Sequence, residues 1–231
     1  MFEVKVRSKT KKKNKSPFKV LVTAGPTIEP LDPVRYISNY STGEIGYAIA
    51  KEARDMGFSV CLVSGPVRIT EPKGVRVVRV TTALEMAREV QSRVGKCDCI
   101  IMAAAVCDFR PSEIKKQKIK KNTLPGEVCE GTITLVRNPD ILEQIEKRDG
   151  LIKIGFALET ENVLRNAKIK MERKGLNLIV VNSKTSSKNP FGPGKKDFYI
   201  IDNKNKVQKI EAIEKKQMAK KIVMEAKELM R

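Results

Sequence analysis

Short runs of aliphatic and β-branched residues alternate with longer amphipathic stretches along most of this chain. Lys19-Val-Leu-Val-Thr-Ala24 stops at Gly25-Pro26 and predicts a buried strand entering a turn. Gly43 to Met56 carries Ile45, Ala48, Ile49 and Ala53 at helical spacing and ends at Gly57. Ser59 to Val63 and Val75 to Val80 predict the next strands, Ala83 to Val94 a helix, and Cys99 to Ala103 a fourth strand. Strands this continuously apolar, alternating with helices, point to a parallel sheet covered on both faces.

The second half keeps the rhythm. Asn138 to Lys147 predicts a helix, Leu151 to Phe156 a strand, Glu161 to Lys174 a helix with Leu164, Ala167 and Met171 inward, and Asn177 to Val181 a strand. Phe198 to Asp202 and Lys206 to Ile210 flank Asn203-Lys-Asn205 as a late hairpin, and Ile213 to Met230 closes the chain as a helix. Residues 112–131 break the pattern with five lysines and Pro125-Gly126, a polar excursion of the kind that forms a lid, an interface arm or a disordered loop. The expected fold is α/β: a Rossmann-like three-layer sandwich with a mainly parallel sheet, a flap or arm over 112–131, and a late β-hairpin. Residues 1–17 read as a basic tail or linker and 18–231 as one domain.

Composition narrows the chemistry. The 231 residues include no histidine, which excludes Ser-His-Asp and Cys-His hydrolases, His-ligated zinc and a histidine general base. Five cysteines form no CxxC pair, too scattered for a disulfide framework or a structural zinc site. No apolar run approaches the roughly 18 residues that span a bilayer, and Met1 to Phe18 lacks a signal-like apolar stretch, so a cytoplasmic location is expected. The net charge is +19, with seven cations between Lys5 and Lys15 against Glu3 alone. Such a balance attracts polyanions, nucleic acid included, but aromatic residues are few and none interleaves with the basic ones. A solvated Lys/Glu-rich surface and a site for small, highly charged phosphates are the competing readings.

Ligands of open parallel sheets bind where strand C-terminal ends meet helix N-termini. Three such places carry unusual residues. Between Ala24 and Gly46 lies a segment far too long for the glycine turn of a nicotinamide-binding fold, and GxGxxG is absent. That absence argues against a Rossmann-type oxidoreductase. The segment ends in Ser38-Asn39-Tyr40-Ser41-Thr42-Gly43, a phosphate cradle if Ser41 and Thr42 are not merely N-caps. In Met102-Ala-Ala-Ala-Val-Cys-Asp-Phe-Arg-Pro111, small residues let a flat ring approach the backbone. There Asp108 suits a ribose, a base or a metal, or is simply a surface acid. Lys170 and Lys174, four apart, leave one helix face and suit a phosphate chain, or else solvent.

Taken in order, TAGPT, EP, DPVRYISN, the Ser41-to-Gly43 stretch, AAAV-DFRP, KIKK, VRNPDIL, GFA-ET, RKGL and LIVVN make the chain resemble the phosphopantothenoylcysteine synthetase (phosphopantothenate–cysteine ligase) family over residues 18–230. The resemblance implies two half-reactions of coenzyme A biosynthesis. The carboxylate of 4′-phosphopantothenate attacks the α-phosphate of a nucleoside triphosphate, giving an acyl-nucleotide and pyrophosphate. The amine of L-cysteine then attacks the acyl carbon and releases the nucleoside monophosphate. Cations and helix dipoles serve that chemistry better than a nucleophilic side chain.

By motif, Asn39 corresponds to the amide that binds and turns over the acyl-nucleotide, and Lys118 to a critical lysine on a mobile flap. Ser41, Gly43, Met102, Ala103, Ala104, Ala105 and Asp108 match nucleotide-binding positions. Pro139, Asp140, Ile141 and Leu142 match a segment near the base, and Phe156, Lys170 and Lys174 further nucleotide contacts. The Asn138-to-Leu142 stretch looks like that of CTP-using, bacterial-type members rather than the mostly ATP-dependent eukaryotic ones. Magnesium is implied on the triphosphate, with Asp108 or Asp140 the candidate protein ligands. The family also implies a homodimer with the flap near the partner, and association with a flavin-dependent phosphopantothenoylcysteine decarboxylase, usually fused in bacteria. Three positions depart from its pattern: Ile28 stands where Arg is frequent, Glu44 where Lys is frequent, and Cys107 where Ala is usual.

Overall fold

The apolar runs become the strands of one eight-stranded sheet in a computed structural model that describes residues 16–120, 132–159, 161–183 and 194–230. The first half of the chain contains β1 (Lys19–Ala24), β2 (Ile28–Pro30), β3 (Tyr36–Ser38), α1 (Glu44–Asp55), β4 (Ser59–Ser64), β5 (Arg76–Arg79), α2 (Ala83–Val94) and β6 (Cys99–Met102). The second half contains β7 (Phe109–Pro111), β8 (Leu135–Arg137), β9 (Ile152–Glu159), α3 (Val163–Lys174), β10 (Leu178–Ser183), β11 (Lys196–Asp202), β12 (Val207–Ile213) and α4 (Lys215–Glu228).

The sheet runs β12-β11-β10-β9-β6-β1-β4-β5. From β5 to β10 the pairing is parallel, and β11 and β12 continue it as the expected antiparallel hairpin. The chain works outward from β1 through β4 to β5, then returns to the other side of β1 as β6. That reversal opens a crevice beyond the C-terminal ends of β1 and β6. One face packs under α1 and α4, where Val22, Ile49, Leu62, Ile101, Ile154, Met218 and Ile222 are buried together. The other packs under α2 and α3 around Leu21, Met86, Ile100, Ile179 and Met171. Helices therefore cover both faces of the sheet, as the pattern predicts.

Three details differ from the sequence reading. Residues 138–147 form turns rather than a helix, because the buried Lys153 ammonium takes the carbonyls of Leu142 and Ile145 at 3.2 and 3.0 Å. Those carbonyls are the acceptors a continuing helix would need. Two small antiparallel ladders, β2–β3 and β7–β8, stand outside the main sheet, each strand too short to show periodicity. Leu164 lies largely exposed, whereas Ala167 and Met171 are buried. Residues 1–15 of the basic tail and 121–131 of the expected flap lie outside the described residues.

Among the described residues no helix is long and apolar enough to cross a membrane. Cys97, Cys99 and Cys107 are buried, and all four described cysteines are free thiols. Burial pushes the Cys97 thiol up to about 11, so it behaves as core filler.

Helix α1 lies so close to β1 that a Cβ on Gly46 would sit 2.5 Å from the Ala24 Cβ and 2.9 Å from the Thr23 carbonyl oxygen. Gly46→Ala is therefore expected to push α1 off the sheet and cost about 1–3 kcal/mol. Urea unfolding should show a lower midpoint at unchanged slope. An unchanged midpoint would show that the contact is slack.

Candidate active site

Beyond the last residues of β1 and β6 the two chains stay tied together. The Thr23 hydroxyl bonds the Ala104 amide at 3.2 Å, the Ala105 amide bonds the Gly25 carbonyl at 2.9 Å, and the Thr27 amide bonds the Ala105 carbonyl at 3.2 Å. The Cys107 amide then donates to the Thr27 hydroxyl at 2.9 Å. This extended pairing makes the small-residue stretch 103–107 the floor of the crevice. Asn39 arrives from β3 and donates through Nδ2 to the Ala105 carbonyl at 2.9 Å, with the Cys107 sulfur 3.7 Å away. The amide is thus aimed by the floor itself.

The crevice divides into two adjoining clefts that share Ala104, Val106, Asp108 and Phe156 as walls. The larger, about 350 Å³, also takes in Asn39, Ser41, Gly43, Ala103, Ala105 and Lys170. The smaller, about 190 Å³, takes in Met102, Pro139, Asp140, Ile141, Leu142 and Lys174. The fold therefore gathers every candidate residue but one from five separate stretches of chain. Lys118 is exposed and lines neither cleft.

At the mouth of the larger cleft, the N-cap of α1 is Gly43, and no side chain caps it. Ser41 and Thr42 line the cleft, and their hydroxyls also accept from the Gly43 and Glu44 amides at 3.4 and 3.5 Å, so lining the cleft and supporting the helix start are not exclusive. Gly43 has φ +81°, and a Cβ there would meet Val67 at 2.7 Å and the backbone of Gly25 at 3.2 Å, so glycine is required. Glu44 and Ile45 of the first turn of α1 line the same cleft, at the positive end of the helix dipole.

Lys170 and Lys174 part company. Lys170 reaches the larger cleft, where it pairs with Glu159 at 2.6 Å, while Lys174 reaches the smaller one and pairs with Asp140 at 2.7 Å. Their spacing put them on one helix face without revealing that each has its own carboxylate. Asp140 is thus engaged by a cation, and among the described residues no three acidic, cysteine or histidine side chains converge as a metal cage. A magnesium ion here would therefore have to be held by the phosphate oxygens of a bound nucleotide and by water.

Two buried carboxylates that sequence reasoning did not single out hold the long segment after β1. Glu29 accepts from the Ala83 amide at the start of α2 at 2.9 Å. Burial pushes its carboxyl up, opposed by that amide, the Thr27 hydroxyl and the Arg110 charge. Asp32 accepts from the amides of Val34, Arg35 and Ile119 and from the Arg35 guanidinium, at 2.5–3.1 Å. The guanidinium foremost holds its carboxyl far below the usual carboxylate range. Arg35 also donates to the Ile119 carbonyl, and the Lys115 amide to the Leu31 carbonyl. The described part of the flap, with Lys118, is thereby pinned to the Asp32 turn. An acid set among prolines in Glu29-Pro-Leu-Asp-Pro33 was the one available signal.

A carboxyl whose folded pKa is depressed stabilises above its unfolded value of about 3.9 and loses that contribution as pH falls below it. Hydrogen exchange should thus find the Lys115 and Ile119 amides protected at pH 5–7 and losing protection below about pH 4. In Asp32→Asn they should be weakly protected even at pH 7. Equal protection in the variant would remove Asp32 as the tether.

The comparisons with known proteins identify the family of the chain. The coenzyme A biosynthesis bifunctional protein CoaBC of Borreliella burgdorferi is 39% identical over 208 residues, 89% of this chain and 51% of the relative. A cysteine/cysteine sulfinic acid decarboxylase from an unknown prokaryotic organism is 40% identical over 209 residues, 89% of this chain and 56% of the relative. The chain thus spans about half the length of these curated relatives. The crystal structure of the C-terminal domain of CoaBC superposes with a TM-score of 0.77 at 33% identity, covering 92% of this chain and 95% of that one. The model of the DNA/pantothenate metabolism flavoprotein C-terminal domain matches residues 16–230, and the chain belongs to that family.

Proposed function

We propose that the chain is a phosphopantothenate–cysteine ligase of coenzyme A biosynthesis. In this reading the 4′-phosphopantothenate carboxylate attacks the α-phosphorus of magnesium-bound CTP, forming acyl-cytidylate and expelling pyrophosphate. The cysteine amine then attacks the acyl carbon, loses a proton, and CMP leaves with the bonding electrons of the acyl–oxygen bond. The observation that carries the reading is the Asn39 amide, aimed by the Ala105 carbonyl into a cleft beneath an uncapped helix N-terminus. An uncharged amide there stabilises an acyl oxygen without repelling or trapping phosphate.

The cytosine is assigned to the smaller cleft beside Pro139 to Leu142, the ribose to Asp108, and the triphosphate to the larger cleft beneath α1. Phe156, shared by both clefts, separates base from phosphates. Lys118 is assigned to close over the nucleotide with the flap. Membership of the family and the likeness to the CoaBC C-terminal domain support this reading. The bifunctional relatives of coenzyme A biosynthesis, about twice the length of this chain, support association with a phosphopantothenoylcysteine decarboxylase. Neither the oxidoreductase nor the nucleic-acid reading draws support from the crevice.

Purified protein with magnesium, 4′-phosphopantothenate and CTP should release pyrophosphate, and CMP should follow once cysteine is added. A parallel reaction with ATP tests the nucleotide choice, and faster turnover with ATP would overturn the assignment to CTP. Asn39→Ala and Lys118→Gln should fold normally and lose turnover by about 10²–10³-fold, the scale of a single lost transition-state donor. Wild-type rates in both would sink the residue assignments.

A homodimer is part of the same proposal. Tyr36, Tyr40, Phe109, Ile114 and Leu135 stay exposed on and beside the two small ladders, an apolar surface of the kind a partner covers. Sedimentation equilibrium should give twice the 25.9 kDa chain mass, and Phe109→Asp should shift it toward monomer. A monomer at micromolar concentration would refute the dimer.

A further inference from the structure

The outer end of the larger cleft is built from the far end of the chain. Lys196 and Phe198, two apart on β11 and so on one side of the strand, both line it, as does Lys215 from the first turn of α4. Lys196 is almost fully buried at 9% exposure. Lys215 pairs across the cleft mouth with Glu44 at the start of α1. Two ammonium groups and the first turn of α1 therefore meet around one space, while the Glu214 carboxylate caps the start of α4.

The backbone behind this arrangement is irregular. The β11–β12 register shifts between Lys196 and Phe198, and Ala212 on the opposing strand has φ +49°, a left-handed conformation costly for a residue with a Cβ. Asp197, the residue between the two cleft-facing side chains, accepts the Ala212 amide at 2.8 Å. This bulge sits two residues before the Glu214 cap of α4, where it sets the exit from β12 that brings Lys215 to the cleft.

Resting on the ligase reading, we infer that Lys196 and Lys215 hold the polyphosphate of the nucleotide, and that Glu44 occupies Lys215 until the polyphosphate displaces it. The exchange follows from charge. The Glu44 carboxylate is half-exposed, and such a pair contributes little. A polyphosphate offers several anionic oxygens to the same ammonium and to Lys196. The phosphate of 4′-phosphopantothenate has the same chemistry, but two lysines and the start of α1 supply more positive charge than one monoester needs. The polyphosphate is therefore the assigned occupant.

Titration calorimetry of the full chain with inorganic triphosphate, and separately with 4′-phosphopantothenate, tests this. Lys196→Met and Lys215→Met should each weaken triphosphate binding about tenfold, the scale of one charge-assisted hydrogen bond, and leave phosphopantothenate binding unchanged. Lys196→Arg should keep most of the affinity, which a purely structural role for the lysine would not ensure. Glu44→Gln should tighten triphosphate binding in the wild-type background and have little effect when Lys215 is Met. Far-UV circular dichroism and melting temperature check that each variant is folded. Failure of the wild type to bind triphosphate, wild-type affinity in both Met variants, or loss of phosphopantothenate binding instead would overturn the inference. Pyrophosphate release by the wild type is read separately. Turnover with unchanged variants would remove these lysines and leave the ligase, whereas lysine-dependent triphosphate binding without turnover would remove the ligase and leave the anion site.

Discussion

The pairing of β1 with β6 beyond the ends of both strands is the constraint on which the site depends. In a sheet whose order reverses at these strands, the two exiting chains normally diverge and leave a crevice. Here four hydrogen bonds among Thr23, Gly25, Thr27, Ala104, Ala105 and Cys107 hold the exits together before they part. The crevice gains a floor of backbone and small side chains that side-chain rotation cannot rearrange. Asn39 hangs from that floor through the Ala105 carbonyl, so its position follows from main-chain geometry rather than from its own torsional preferences.

A floor of that kind forces the segment between β1 and α1 to be long, and a long segment has many backbone donors to satisfy. Glu29 and Asp32 meet this demand in different ways. Asp32 gathers three amides and a guanidinium, and its carboxyl is held low. Glu29, three residues earlier, is buried against one amide of α2, and desolvation outweighs what its neighbours return. The two acids share a stretch of chain and have opposite pKa directions. Identity did not decide this; the number and charge of the donors did. The consequence for the site is that Asp32 links the β2–β3 turn to residues 115–119, so the stretch carrying Lys118 is tied to that turn.

The sheet and its four helices were legible because continuous apolar strands and 3.6-residue periodicity are long-range averages that survive local irregularity. What was not legible had local causes. The stretch 138–147 carries a helical pattern, but Lys153, distant in sequence, captures the carbonyls that a helix would use. The two small ladders have three residues per strand, too few to alternate visibly. At the site, glycine and small-residue stretches announced where backbone would be approached, and Asn39, Ala104 and Asp108 do meet there. Lys170 and Lys174 show the limit: spacing placed them on one face, while Glu159 and Asp140 assign them to different clefts. Lys196 and Lys215 carried no signal at all, because they enter the cleft only through a bulge and a strained alanine at the far edge of the sheet.

Charge therefore works at two ranges in this molecule. The formal excess of +19 makes a long-range field that draws phosphate-bearing molecules toward the surface and discriminates poorly among them. Within the clefts, Lys170, Lys174 and Lys215 each face a carboxylate, Glu159, Asp140 and Glu44 respectively. These pairs neutralise cations that would otherwise repel one another in a confined space. An anion that enters must then compete with a resident carboxylate for each ammonium. In the proposed reading, a single phosphate would gain little from such an exchange, whereas a polyphosphate that engaged several lysines at once would outcompete them together. On that reading, selectivity for a highly charged ligand would follow from the pairing rather than from the net charge.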